Sequence, residues 1–155
     1  MGLHTEGSGR LKCSELELHP DILKALQKIG YEELTPIQQQ TLGPILAGRD
    51  LIAKAETGSG KTAACAIPLI QQVNPQSNQV QALILVPTRE LALQYVEEIG
   101  KIAQFIPVQA FAVYGGFSMD IQKGKLAHGV HILVATPGRL IDLLYNTPLS
   151  LSQVK

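Results

Sequence analysis

The sequence predicts an α/β domain whose mostly parallel sheet is flanked by helices, and three observations predict it. Short apolar runs alternate with stretches of helical periodicity along most of the chain. A glycine-rich loop, Ala55-Glu56-Thr57-Gly58-Ser59-Gly60-Lys61-Thr62, joins one such run to one such helical stretch. With 155 residues of which 45% are hydrophobic, the chain has enough apolar surface for the core of one domain.

Taken in order, Met1 to about Arg10 is polar and glycine-bearing, and residues 1–12 read as a flexible leader. From Pro20 to Ile29 the apolar residues Ile22, Leu23, Leu26 and Ile29 recur at helical spacing, and Gly30 follows as a C-cap. Thr35 begins a second helix, with Pro36 at its first position and Gln38 where a capping box places its amide. Leu51 to Ala55, Ala82 to Val86, Ala110 to Tyr114 and Ile132 to Ala135 read as buried strands. Helices lie between them near Lys61 to Gln72, Arg89 to Phe105 and Ser118 to Ala127, and Asn74 to Gln79 is a polar loop. A strand-helix alternation of this kind implies right-handed crossovers and helices on both faces of the sheet.

Composition narrows the function classes. Lys+Arg and Asp+Glu both number 13, so no global charge attracts nucleic acid and any such binding rests on local placement. Cys13 and Cys65 lie far apart without paired or metal-like spacing, which suggests a reducing, cytoplasmic setting. His4, His19, His128 and His131 form no ligand pattern, so no protein-bound metal site is expected. No segment approaches the unbroken apolar length of a membrane span.

The chemistry gathers first in the glycine-rich loop. Glycines let successive backbone N–H groups converge on an anion, Lys61 can reach outer phosphates, and the Thr62 hydroxyl can sit on Mg²⁺. A nucleoside triphosphate with Mg²⁺ is the implied ligand, and Lys61 and Thr62 are the candidate catalytic groups. The usual pattern opens on glycine; here Ala55 is small enough to keep the turn.

Ligands of open α/β sheets bind at the carboxyl ends of the strands, which singles out three further loops. These are Pro87-Thr88-Arg89-Glu90, Gly115-Gly116 and Thr136-Pro137-Gly138-Arg139. Hydroxyls, an arginine fork and helix-start N–H groups are what proteins use to hold a sugar-phosphate backbone. Each loop also has a local reading: Thr88 and Thr136 as helix N-caps, Pro137 as a first-turn proline, Gly115-Gly116 as a turn.

Together these motifs give the chain its resemblance to the first RecA-like domain of a DEAD-box RNA helicase, from about Cys13 to Lys155. Gly30-Tyr31 with Thr35-Pro36-Ile37-Gln38 resembles the Q motif, Ala55 to Thr62 motif I, and Pro87 to Ala92 motif Ia. Gly115-Gly116 and Thr136 to Arg139 (motif Ib) complete the set. The resemblance implies that Tyr31, Gln38, Ala55, Thr57, Gly58, Ser59, Gly60, Lys61 and Thr62 bind the nucleotide, Gln38 by reading the adenine edge. It implies that Thr88, Arg89, Gly116, Thr136, Gly138 and Arg139 contact RNA through its backbone, without base code. The residues by themselves favour a local reading, in which Thr35 and Gln38 cap their helix, and an amide has positions enough for both roles. Cys13 stands where the family usually packs an aromatic residue on adenine, and Leu34 where proline is common, which implies weaker adenine affinity.

Hydrolysis also needs a carboxylate at the end of a neighbouring strand, and no apolar strand here ends in Asp-Glu. Asp142 lies in a helical pattern after motif Ib, Asp50 precedes its strand and Asp120 opens a helix. By the resemblance, 13–155 is a partial RecA-like domain truncated at its C-terminus before the Asp-Glu-Ala-Asp motif, with a second RecA-like domain as its partner in the parent chain. Such a piece is expected to bind nucleotide without hydrolysing it. Two other readings stand beside it: a stand-alone nucleotide-binding module and a P-loop small-molecule kinase.

Overall fold

The computed structural model describes residues 10–155. Its sheet has three strands, β1 (Ala82–Leu85), β2 (Ala110–Val113) and β3 (Ile132–Ala135), all parallel in the order β1-β3-β2. In register, Leu85, Ala135 and Val113 form the last row, so all three strands end on one edge. The central strand is fully buried, as a parallel strand covered on both faces must be.

Side chains alternate between two apolar clusters across this sheet. Ile84, Ala112, Ile132 and Val134 join one cluster, which also holds Ile22 and Leu26 of α1 (Pro20–Lys28), Leu42 of α2 (Pro36–Leu46), Ile67 of α3 (Lys61–Gln72) and Ile99 of α4 (Arg89–Ile102). Val113, Leu133 and Ala135 join the other, with Leu140 and Leu143 of α6 (Pro137–Asn146) and the partly buried Leu126 of α5 (Met119–Ala127). The period-2 switch is what places helices on both faces.

Helix ends follow their sequence signals. Gly30 has φ +83° just past α1, and its N–H donates to Gln27 O. At the start of α2, Gln38 Oε1 accepts from Thr35 N at 3.0 Å. Thr35 Oγ1 faces the Gln38 backbone N–H as the other half of the capping box, but it is buried and makes no hydrogen bond among the described residues.

One expectation is corrected. Leu51 to Ala55 is not a strand: no strand of the described sheet lies beside it, and Ile52 is 101% exposed. An apolar run becomes a strand only where a ladder partner satisfies its backbone, and no strand of the described sheet pairs with this one. Of the expected leader, 1–12, only the last three residues are described. Residues 1–9 lie outside the described part, but Leu11 O accepts from Leu34 N at 2.9 Å and Lys12 bridges antiparallel to Glu33. A short 3-10 turn, Cys13–Glu15, follows.

Candidate functional site

The glycine-rich loop turns on two residues in the left-handed region, Gly58 at φ +81° and Gly60 at φ +91°. Gly60 is the N-cap of α3, so the unpaired N–H groups of that helix's first turn open onto the loop. Ser59 closes the turn, its N–H and Oγ both donating to Glu56 O, at 3.2 and 2.5 Å. Lys61 is exposed, and its Nζ donates to Ala55 O at 2.6 Å. An ammonium held by a neutral carbonyl gains by exchanging it for a phosphate oxygen. Thr57 is exposed and Thr62 half-buried, the latter on the first turn of α3.

Gln38 meets this loop from α2. The residue is 5% exposed, and its Nε2 donates to Gly60 O at 3.2 Å while Oε1 holds Thr35 N. A Cβ at Gly60 would lie 2.6 Å from Gln38 Nε2 and 2.8 Å from Thr35 Oγ1. The two motifs therefore approach closely enough that only glycine fits between them. Beside the contact lies a cavity of about 400 Å³ lined by Arg10, Thr35, Pro36, Ile37, Gln40, Lys54, Ala55, Gly58 and Ser59. The donor set fits a nucleoside phosphate with Mg²⁺: loop N–H groups and Lys61 for phosphate, the Thr62 hydroxyl as a hard oxygen for the ion, and the orphaned Thr35 Oγ1 at the cavity wall.

Of the expected nucleotide residues, Ala55, Gly58 and Ser59 line that cavity, while Gln38, Thr57, Gly60, Lys61 and Thr62 do not, and neither do Tyr31 or Cys13. Tyr31 packs partly buried against the core, and its hydroxyl donates to Glu98 Oε1 at 2.5 Å. Burial first, and then the Glu98 carboxylate, push the Tyr31 hydroxyl up to about 12. Cys13 is 5% exposed in the same cluster, and burial pushes its thiol up, so it is a small neutral group there.

The three post-strand loops emerge together on the carboxyl edge of the sheet. Thr88 Oγ1 caps α4 by accepting from Leu91 N at 3.2 Å, so its local reading holds. Arg89 is exposed, its guanidinium 5.8 Å from the Tyr114 ring centre. Gly116 is exposed at φ +79°. Thr136 begins α6 without a side-chain cap bond, which leaves its hydroxyl unspent at the helix start, and Gly138 is exposed on the first turn. Arg139 is half-buried: Nη1 donates to Phe117 O at 2.9 Å and to Gln122 Oε1 at 3.4 Å, while Nε is buried without a partner.

Sequence reasoning missed Gln122 and Tyr95. Gln122 is fully buried on α5 while its neighbour Ile121 is 58% exposed, the reverse of what hydrophobicity predicts. Tyr95, on α4, sits near the first turn of α3: burial and then the nearby Cys65 push its hydroxyl up, and the proximity of the Thr62 hydroxyl lowers it in part. That proximity joins the helix starting at Arg89 to the helix starting at Lys61. Neither role has a local pattern, since each depends on a distant segment.

Comparison with known proteins agrees with this geometry. A family model described as DEAD/DEAH box helicase matches residues 35–155. The DEAD-box ATP-dependent RNA helicase CshA of Bacillus licheniformis is 44% identical over 140 residues, covering 90% of this chain and 29% of that protein. The ATP-dependent RNA helicase DeaD of Mycobacterium tuberculosis is 43% identical over 142 residues, covering 91% and 25%. A crystal structure of a DEAD box protein from the hyperthermophile Methanococcus jannaschii superposes with a TM-score of 0.87 at 39% identity, over 93% of this chain and 39% of that one. The chain thus spans less than a third of the length of these curated relatives.

Proposed function

This chain belongs to the DEAD/DEAH box helicase family, and from that premise we propose that it is the ATP-binding, RNA-contacting part of an ATP-dependent RNA helicase. The observation that carries the reading is the junction of Gln38 with Gly60, which ties a candidate base-reading amide to a phosphate loop. In this reading Gln38 keeps one N–H and one lone pair for adenine, beyond those spent on Gly60 O and Thr35 N. Lys61 leaves Ala55 O for the outer phosphates, and the α3 N-terminus holds them through its free N–H groups. Bound with the nucleotide, Mg²⁺ supplies charge neutralisation between the phosphates, and the Thr62 hydroxyl is the group of this chain that holds it.

On the sheet's carboxyl edge, Thr88, Arg89, Gly116, Thr136, Gly138 and Arg139 form the RNA side. Their chemistry of hydroxyls, N–H groups and guanidinium suits phosphate and ribose, so the substrate is RNA of little sequence preference. The carboxylate and the arginine finger that turnover needs are assigned to the rest of a parent chain, including a second RecA-like domain. Arginine fingers are worth about 10³–10⁵ in rate in related NTPases.

Calorimetry with Mg-ADP, paired with an ATPase assay with and without single-stranded RNA, tests this. The chain binds Mg-ADP, the Lys61→Ala variant does not, and neither turns ATP over. Unchanged affinity in Lys61→Ala, or robust RNA-stimulated hydrolysis by this chain alone, overturns the reading.

A further inference from the structure

We propose that Gln122 is a positioning residue for RNA contact, acting through Tyr114 and Arg139 to hold the Gly115–Phe117 loop in its binding shape; the inference rests on the RNA reading above. A helix that turns Ile121 outward at 58% exposure and buries Gln122 completely gives up apolar burial. Hydrogen bonds offset that loss. Gln122 Nε2 donates to Tyr114 O at 3.1 Å, and Oε1 accepts from Arg139 Nη1 at 3.4 Å. The same Nη1 donates to Phe117 O at 2.9 Å. The carbonyls on either side of Gly115-Gly116 are therefore each tied down, and Gln122 joins the two ties.

What the ties enclose is the most pliable part of the edge. Gly115 and Gly116 are exposed, and Gly116 sits at φ +79°, a conformation among many open to a glycine pair. Unheld, such a pair must be ordered each time a ligand binds, which lowers affinity. Held, it presents its N–H groups in one arrangement. The Tyr114 and Phe117 rings lie 5.7 Å apart, and Arg89 lies over Tyr114, so the clamp also reaches the loop after β1. Arg139 is shared between the clamp and the RNA side: Nη1 is occupied within the protein, and Nη2 is the end left to face a phosphate.

A positioning role and a phosphate-contact role differ in salt dependence. Removing a cation from phosphate lowers the slope of log affinity against log salt by about 0.7 for a single strand, whereas loosening a neutral loop does not. The test uses this chain, fluorescein-labelled oligouridylate and anisotropy across a KCl series, for wild type, Gln122→Met and Gln122→Glu. Gln122→Met conserves volume and removes the bond to Tyr114 O and the bond that joins it to Arg139, leaving only the Arg139 bond to Phe117 O. It weakens RNA binding about tenfold with unchanged salt slope, the size of ordering a short loop. Amide exchange at residues 115–117 accelerates, and Mg-ADP affinity stays at the wild-type value. Gln122→Glu keeps an acceptor for Arg139 but no donor for Tyr114 O, and falls between the two. Wild-type RNA affinity in Gln122→Met, faster exchange without weaker binding, or a reduced slope overturns the proposal. If Gln122→Met loses Mg-ADP binding through misfolding, Gln122→Glu decides by the same criteria. No RNA binding by the wild-type chain at low salt overturns the RNA reading itself, and the inference with it.

Discussion

The Gln38 side-chain amide donates to the Gly60 carbonyl across 3.2 Å, while its own oxygen holds Thr35 N, the N-cap of α2. One buried side chain thereby fastens a helix start to a phosphate loop. In the reading proposed above, the geometry that caps α2 is also the one that gives Gln38 its part in nucleotide binding. The cap fixes the rotamer, and the fixed rotamer aims the second N–H.

Substitution separates the two functions of Gln38. Gln38→Glu retains the oxygen that caps α2 but loses the donor to Gly60 O and brings a carboxylate beside the phosphate loop. Mg-ADP affinity falls at least tenfold by calorimetry, while the cap is kept. Gln38→Ala loses both bonds and destabilises the fold by about 1–3 kcal/mol, the range for leaving buried backbone groups unpaired. A melting temperature for Gln38→Ala equal to wild type contradicts the structural half of this account.

Gly60→Ala is a sharper probe of the same contact. Its Cβ meets Gln38 Nε2 at 2.6 Å and Thr35 Oγ1 at 2.8 Å, and φ +91° is strained for any L side chain. A destabilisation of about 1–3 kcal/mol follows from the backbone alone. Gly58→Ala shares the positive φ, at +81°, but meets nothing within 4 Å. Urea melts of the two variants are expected to show Gly60→Ala as the less stable; equal midpoints remove the close approach as a cause.

Lys61 is exposed, and among the described residues its side chain bonds only Ala55 O. Surface side chains of this kind change stability little, so Lys61→Ala shifts the melting temperature by no more than about 2 °C. A large drop in stability marks Lys61 as scaffold, and loss of Mg-ADP binding could then no longer be assigned to phosphate contact.

Tyr31 predicts an alkaline limit. Its folded-state pKa, about 12, lies above the ordinary value of 10.0, so the folded state favours the protonated phenol. The stability contributed by this group is fully present below pH 10 and is lost as pH rises from about 10 to 12. Tyr31→Phe removes the Glu98 hydrogen bond and flattens that part of the pH profile. Denaturant midpoints at neutral and alkaline pH for both proteins measure the difference; parallel alkaline losses place the effect elsewhere.

How much was legible depends on whether the cause was local. The phosphate loop is local, and Gly58, Gly60 and Lys61 stand in one turn as their spacing implies. Three apolar runs were read as strands and pair as such, because parallel strands buried on both faces are nearly continuous in apolarity. Leu51 to Ala55 is as apolar but has no ladder, since pairing is a property of two segments and the pattern shows one. Gln122 was illegible for a related reason: its partners, Tyr114 O and Arg139, lie eight and seventeen residues away on other elements. Arg139 was found by its motif, but its attachment to Phe117 O was not.

Cys13→Phe sets two effects against each other, and they fall in different measurements. The site is 5% exposed, so a phenyl ring overfills it and costs about 1–3 kcal/mol of stability. Overfilling is present with and without ligand, so it lowers the melting temperature and largely cancels from the affinity. An aromatic ring stacked on a base is worth about 1–3 kcal/mol, and that contribution exists only in the complex. The backbone there is fixed, with Cys13 N on Glu32 O and Leu11 O on Leu34 N, three residues or fewer from Arg10 at the cavity wall. Cys13→Phe is therefore expected to melt lower and to bind Mg-ADP tighter, by about fivefold for the low end of that stacking range. Lower melting with equal or looser binding in calorimetry means that position 13 fills the core without touching adenine, and the idea that cysteine there weakens nucleotide affinity is then discarded.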